Sequence, residues 1–243
     1  MNETIAVLNN HRSVRKFKPQ PIPDEHLRLA VQAGQHASTS SNIQAYSLLH
    51  ITDKSKRAAL VVLTGGQPQV ADCGAFFIIC GDLRRHKILA GHASEPFQPS
   101  LEAFLLATID ASLFAQNLVV AFESLGYGIC YIGGLRNDLP AVDKLLNIPV
   151  GVLPFYGICA GVPADTPDLK PRFNHDAVCF KNQYPTDEQM LDHINEYDNR
   201  CRTYYLERTG KEHAWSTTAS RKFAKPARTN LAEYYRSKGA SLD

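Results

Sequence analysis

Apolar positions along this chain fall into two kinds of run. Short continuous runs mark strands: "SLLHIT" after Tyr46, "AFFIICG" at 75–81, the stretch "YGICYIGG" ending at Gly133-Gly134, and "GVLPFYGICAGVP". The second, bounded by polar and glycine positions, has the pattern of a fully buried strand. Periodic runs mark helices. Ile5 and Leu8 stand at i, i+3 behind Asn2, which predicts a short capped helix over 3–9. Asp24 is placed to cap a helix over 24–36 with Leu27, Ala30 and Val31 on one face. Asp53 starts another helix through Leu63, and Asp138 caps one over 139–147 with Val142, Leu145 and Leu146 inward. Residues 84–100 read as a polar surface excursion.

The longest periodic run, Leu101 to Leu125, would nearly span a bilayer. Glu102, Asp110, Gln116, Asn117 and Glu123 interrupt it, and charge at mid-membrane is costly, so a central core helix is predicted. Past Pro185 the pattern turns polar, with helices over 187–208 and 217–239 joined by "TGKEHAWS". This tail of about residues 186–243 reads as an arm that packs on something, within one domain spanning 1–243.

Composition then excludes several classes. The 243 residues carry 26 Lys+Arg against 24 Asp+Glu, too even for a protein held to nucleic acid mainly through phosphates. The N-terminus shows no basic segment leading into an apolar one, so a cytoplasmic location without membrane attachment is expected. Six cysteines at 73, 80, 130, 159, 179 and 201 show no C-x-x-C spacing, and the nine histidines share no ligand spacing with them, so no metal site is expected. Cys80, Cys130 and Cys159 lie in apolar runs, where a thiol is usually a small buried hydrophobe.

Candidate chemistry is spread along the chain. "HRSVR" at 11–15 offers a fork of donors and a hydroxyl suited to phosphate, or simply a solvated basic patch. Lys170 and Arg172 add cations in a proline-bounded loop. The hydroxyl-rich "STSS" and the turn "TGGQ" with Gln67 add hydrogen-bonding groups, and Gly133-Gly134 permits close backbone approach. Together they suit an anionic, planar, heteroatom-edged ligand of nucleotide type. The dinucleotide and P-loop glycine signatures are missing, so the residues alone stop at a nucleotide-like ligand of unknown identity.

The motifs "HRSVRKF" (11–17), "STSSNIQAYS" (38–47), "LTGGQ" (63–67), "FESLGYGICYIGGLRN" (122–137), "VLPFYGICAGVPADTPDLKPR" (152–172) and "YYLERTG" (204–210) occur in this order. In them the chain resembles the FMN-dependent nitroreductase superfamily, in its oxygen-insensitive NADPH nitroreductase and flavin reductase group. The resemblance implies an α+β fold, a mainly antiparallel sheet flanked by helices, in a homodimer whose C-terminal arm wraps the partner. It implies that His11, Arg12 and Ser13 hold the FMN phosphate with Lys170 and Arg172, while Arg15 and Gln67 face the pyrimidine edge of the flavin. A cation at that edge would stabilise the anionic reduced ring. Thr39 and Ser40 would reach the ring from the partner subunit, Thr39 standing where some relatives have Ser. Tyr131, Ile132, Gly133 and Gly134 would lay backbone against it.

NADPH would be recognised through Arg208, Lys211 and Arg228, with NADH a possible co-substrate. The loop after Arg208 is shorter than in some relatives and less rich in Arg. The implied reaction is a ping-pong relay of two electrons from NADPH to nitroaromatics, quinones or free flavin, without a catalytic side chain. The rivals are an enzyme of the same fold with one dedicated substrate, and a flavin-binding carrier or sensor that does not turn over.

Overall fold

A computed structural model describes residues 2–243. In chain order the regular elements are α1 (Glu3–Asn9), α2 (Asp24–Gln35), β1 (Tyr46–His50), α3 (Lys54–Leu63), α4 (Gln69–Asp72), β2 (Ala75–Asp82), α5 (Arg84–Ala93), α6 (Leu101–Ser124), β3 (Gly128–Ile132), α7 (Leu139–Leu146), β4 (Val152–Gly161), α8 (Asp187–Thr209), α9 (Trp215–Phe223) and α10 (Leu231–Ser237). They divide into two compact units: the residues up to Pro167 together with Arg228–Asp243, and Asp168–Ala227.

The first unit is built on one antiparallel sheet of order β1-β2-β4-β3. All eight residues of β2, which lies between β1 and β4, are buried, as its continuous apolar run predicts. α6 packs on α2 and on β1, β2 and β3. Its length and apolarity would suffice to cross a membrane, yet Ala107, Asp110, Ala111, Phe114, Ala115, Leu118, Val119 and Phe122 are buried against this framework. Its other side leaves Leu101, Leu105, Ile109 and Leu113 exposed at intervals of four.

β3 is an edge strand, and the N-terminal segment covers that edge. Ser13 bridges Ile129 in parallel, the Val14 amide donates to the Ile129 carbonyl at 2.8 Å, and Lys18 N–H donates to Val162 at 2.9 Å. Val14 and Phe17 are buried. A side chain at Gly128 would meet Val14 at 2.6 Å, so the close approach of the two segments requires glycine there.

Most predicted elements stand where the patterning put them, with the carboxamide or carboxylate oxygens of Asn2, Asp53 and Asp138 accepting from the first turns of α1, α3 and α7. Four expectations are corrected. Pro23, not Asp24, is the N-cap of α2, and no side chain caps it; Asp24 is the first helical residue. Residues 84–93 form α5, whose buried anchor is Leu83 just ahead of it. The strand before Gly133-Gly134 stops at Ile132, and residues 133–137 turn as a 3-10 helix. The helix expected over 217–239 is two, α9 and α10, separated by a segment with Pro226 and with Arg228 at φ +55°.

α10 returns to the first unit: Tyr235 Oη donates to the Pro154 carbonyl at 2.9 Å, and the buried Lys238 ammonium to Asp143 at 2.8 Å. The second unit has its own aromatic centre. Phe173 lies 4.1 Å from Tyr197 and 5.1 Å from Trp215 between ring centroids, and Tyr197 donates to the Pro171 carbonyl at 3.0 Å. A Thr186–Gln189 capping box starts α8, and Asp198 accepts the Ser216 amide at 2.9 Å to hold α9.

Candidate functional site

The cluster at 11–15 inherits its geometry from the β3 edge. Val14 turns inward, so Ser13 and Arg15 on either side of it are directed away from the core. His11 Nδ1 lies 2.8 Å from Glu123 of α6 and is paired. Arg12 donates to the Asn10 and Pro167 carbonyls at 3.1 Å and also to the Asn10 side chain. Ser13 and Arg15 differ: among the described residues the Ser13 hydroxyl has no hydrogen bond, and the exposed Arg15 has neither a hydrogen bond nor an ion pair. A guanidinium and a hydroxyl without internal partners are what a ligand needs to find on the same segment.

Further along β3, Tyr131 donates to Gln116 at 3.2 Å and stands edge-on to Tyr156 at 5.5 Å, while Ile132 is fully buried. Burial pushes the Tyr131 phenol pKa well up, so it stays protonated. Past the strand the two glycines have different reasons. A Cβ on Gly133 would come no nearer than 3.4 Å to anything, whereas one on Gly134 would strike the Thr64 carbonyl at 2.3 Å and Gln67 Nε2 at 2.4 Å. Gly134 is thus required by the "TGGQ" turn packed on it, and that contact fixes Gln67 beside the end of β3. Gln67 Nε2 donates to the Thr64 carbonyl at 2.8 Å and its oxygen accepts from Gln69 at 3.1 Å. Arg228 joins this end, its Nε and Nη2 donating to Asn137 Oδ1 at 3.1 and 2.9 Å. Burial and then the neighbouring Arg136 charge lower the Arg228 pKa, and among the described residues neither arginine has a carboxylate partner.

One framework therefore carries His11, Arg12, Ser13, Arg15, Gln67, Tyr131, Ile132, Gly133, Gly134 and Arg228. Ser40, which follows Thr39, is tied elsewhere, to α6. The fully buried Asp110 accepts the Ser40 amide at 3.2 Å and the Ala45 amide at 3.0 Å. Between them Ser41, Asn42 and Gln44 all take positive φ, +48°, +58° and +55°. The carboxylate ties down a loop whose backbone would otherwise be strained. Sequence reasoning passed over Asp110 as an interruption of an apolar helix; a lone acid amid "ATIDASLF" was the available signal, since a buried carboxylate must find donors.

The remaining predicted residues belong to the second unit. Lys170 and Arg172 are exposed, and Arg172 donates to the Lys170 and Pro171 carbonyls at 3.2 Å. With Tyr197, Tyr205, His213 and Trp215 they line a pocket of about 170 Å³. Arg208 donates to Tyr204 Oη at 3.0 Å and lies 3.6 Å from Asp168; Lys211 is exposed beside it.

Two family models match the chain, that of the nitroreductase family over residues 8–163 and that of its C-terminal domain over 170–243. The chain belongs to the nitroreductase family. As such it is an oxidoreductase. Among the proteins it is similar to, an FMN reductase (NADPH) of Bacillus subtilis is 42% identical, with 98% of each chain covered. An oxygen-insensitive NADPH nitroreductase of Salmonella typhimurium is 40% identical at the same coverage. Among solved structures, a nitroreductase of B. subtilis superposes with a TM-score of 0.96 at 40% identity, over 99% of this chain and all of that one. An NADPH:FMN oxidoreductase of Vibrio harveyi complexed with NAD+ superposes at 0.91, 36% identical, with both chains fully covered.

For a nitroreductase the donor set along β3 fits FMN. Ser13 and Arg15 have donors to spare, Gln67 offers both a donor and an acceptor, and the backbone at Gly133 is free of packing. His11 and Arg12 keep hydrogen-bonding capacity beyond their internal partners, since His11 Nε2 and further guanidinium N–H groups are not used.

Proposed function

We propose that this chain is an NADPH-dependent, FMN-containing oxidoreductase that passes two electrons to nitroaromatics, quinones or free flavin. The observation that carries the reading is the convergence on the β3 edge of three sequence-distant segments: the Ser13–Arg15 segment with its uncommitted donors, the Gln67 turn, and Gly133, whose backbone can be approached closely. The relatives' NADPH, FMN and nitroreductase names support the choice of ligands. In this reading Arg12 and Ser13, with His11, hold the phosphate, and Lys170 and Arg172 are assigned to the same end by their charge. Arg15 and Gln67 are assigned to the pyrimidine edge of the ring, and the backbone of Tyr131–Gly134 to its face.

When bound, FMN supplies the redox chemistry, taking up a hydride equivalent and giving up two electrons. The protein's part is electrostatic and positional. Arg15 presents a positive charge where negative charge grows on electron uptake, and it has no internal partner to leave. Gln67 is held in one orientation by Thr64 and Gln69. Arg208 and Lys211 are assigned to the NADPH phosphates. Arg228, with Arg136 beside it, is a second cationic pair that lacks a carboxylate and suits the 2′-phosphate.

The functional species is proposed to be a cytoplasmic homodimer. The exposed apolar row Leu101, Leu105, Ile109 and Leu113 on α6 supports it, since a soluble monomer seldom leaves such a row in water. The Thr39–Ser40 loop, on the same helix through Asp110, is then assigned to the partner's ring edge, and part of the 168–227 unit to the embrace of the partner.

Anaerobic titration of the purified protein with NADPH and NADH in parallel tests the reading. A yellow protein bleached faster by NADPH is expected. A colourless protein that FMN does not tint contradicts it. Repeated turnover with a quinone separates an enzyme from a carrier, which stops after one reduction.

A further inference from the structure

Apart from the residues assigned so far, the first unit holds a group of thiols beside a cation. Cys159 of β4 stands opposite Cys130 of β3 in register, and Cys73, just ahead of β2, converges with it on Gln69, whose carbonyl accepts the Cys73 amide at 3.1 Å and the Cys159 thiol at 3.3 Å. All three are buried, Cys73 at 4% exposure and Cys159 at 0%. Arg57 of α3 enters from the side. Its Nη2 lies 2.9 Å from Cys73 Sγ and 2.5 Å from the Cys73 carbonyl, and its Nε donates to the Val70 carbonyl at 2.9 Å. Among the described residues no carboxylate pairs with Arg57. A half-buried guanidinium without a carboxylate finds its counter-charge in the nearest group that can ionise, the Cys73 sulfur.

The two thiols are thereby made unequal. Burial is the largest influence on Cys73 and raises its pKa, but the neighbouring Cys159 thiol, the Arg57 guanidinium and the Ala160 backbone together outweigh it, and the net direction is down. Cys159 is pushed up, first by burial and then by Cys73. One sulfur is prepared to attack and the other to keep its proton until needed.

We propose that Cys73 and Cys159 form an oxidisable dithiol, with Cys73 the attacking sulfur, Cys159 the resolving one and a hydroperoxide the oxidant. The Cys73 thiolate attacks the terminal oxygen of the peroxide, the O–O bond breaks, and the leaving oxygen takes a proton as alcohol or water. Cys73 is then a sulfenic acid. The Cys159 sulfur displaces its oxygen, the S–S bond forms, and the Cys159 proton leaves with that oxygen as water. Two thiols give up two electrons and one hydroperoxide takes them. A small oxidant is required because the attacking sulfur is almost wholly enclosed.

The pair is also connected to the β3 site. Cys159 Sγ donates to the Gln69 carbonyl at 3.3 Å, and Gln69 Nε2 donates to Gln67 at 3.1 Å. Disulfide formation removes the Cys159 donor, so α4 and Gln67 lose a restraint and turnover changes. This consequence rests on the role given to Gln67 above; the disulfide does not.

Full-length flavin-loaded protein would be treated with equimolar hydrogen peroxide, alkylated under denaturing conditions and mapped by peptide mass spectrometry. The expected first product is a Cys73–Cys159 cross-linked peptide, formed before the exposed Cys179 is modified. Arg57→Met is expected to slow its formation about tenfold by raising the thiol pKa, and Arg57→Lys to restore part of the rate. Cys159→Ser should leave Cys73 as a sulfenic acid captured by dimedone. A first product without Cys73, such as Cys130–Cys159 or modified Cys179, overturns the proposal, as does an unchanged rate in Arg57→Met. NADPH turnover measured before oxidation, after it and after dithiothreitol should change and recover; a mapped disulfide with unaltered turnover overturns the connection to Gln67.

Discussion

The β3 edge and the 168–227 unit assign similar residues to similar ligands, yet they are built in opposite ways. Along β3 most candidate groups are held by a main-chain or side-chain contact: Ser13 by its bridge to Ile129, Gln67 by Thr64 and Gly134, and Tyr131 by Gln116, while Arg15 is held only through its backbone. In the 168–227 unit Lys170, Arg172, Arg208 and Lys211 are all exposed; Arg172 is held by the neighbouring Lys170 and Pro171 carbonyls, and Arg208 by Tyr204 one helix turn away and by the exposed Asp168 at 3.6 Å. The first construction suits a cofactor that stays, because a fixed donor loses little freedom on binding. The second, at Arg208 and Lys211, suits a co-substrate that must come and go.

Substitutions can break or sharpen this contrast. The largest effect is expected from Asp110→Ala, which strands the Ser40 and Ala45 amides and frees a loop with three left-handed residues. A loss of about 3 kcal/mol in unfolding free energy is expected, read by denaturant titration. Gly134→Ala follows, because its methyl group must displace the Thr64–Gln67 turn: about 2 kcal/mol lost, together with FMN retention. Gly133→Ala is the control and should cost less than about 1 kcal/mol. Equal losses at the two glycines would mean that Gly134 is not held by the turn.

The second unit should respond in kinetics rather than stability. Arg208→Ala is expected to raise KM for NADPH about tenfold with kcat nearly unchanged, as removal of a charge-assisted phosphate contact does. Its exposed pairing with Asp168 at 3.6 Å makes the stability change the smallest of the set, below about 0.5 kcal/mol in the same denaturant titration. A fall in stability without a change in KM would reverse the contrast.

Much of the fold was legible in local pattern. The apolar run 75–81 became β2, and Asn2, Asp53 and Asp138 cap the helices they precede, because each signal is complete within a few residues. Where a feature depends on contacts far along the chain, the sequence was mute. Asp110 reads as a flaw in a helix until Ser40 and Ala45 are brought to it. Gly134 reads as room for a ligand until the turn at Thr64 is packed against it. Cys159 reads as a buried hydrophobe, which it is by exposure, and only Cys73 and Arg57 beside it give it chemistry. The break between α9 and α10 is the exception, since Pro226 announces it. For the site, motif resemblance named residues that the structure gathers on β3, but not which of them have donors free. That depends on partners such as Glu123, 112 positions from His11.

That the β3 edge is an FMN site tuned by an uncommitted Arg15 is tested most directly by FMN binding to apoprotein, wild type beside Arg15→Ala. Flavin fluorescence quenching should give a dissociation constant about tenfold weaker in the variant, the loss of one charge-assisted contact, while the apoprotein unfolds at the same temperature because Arg15 has no internal partner. Equal FMN affinity, with an equal rate of reduction by NADPH, would contradict it.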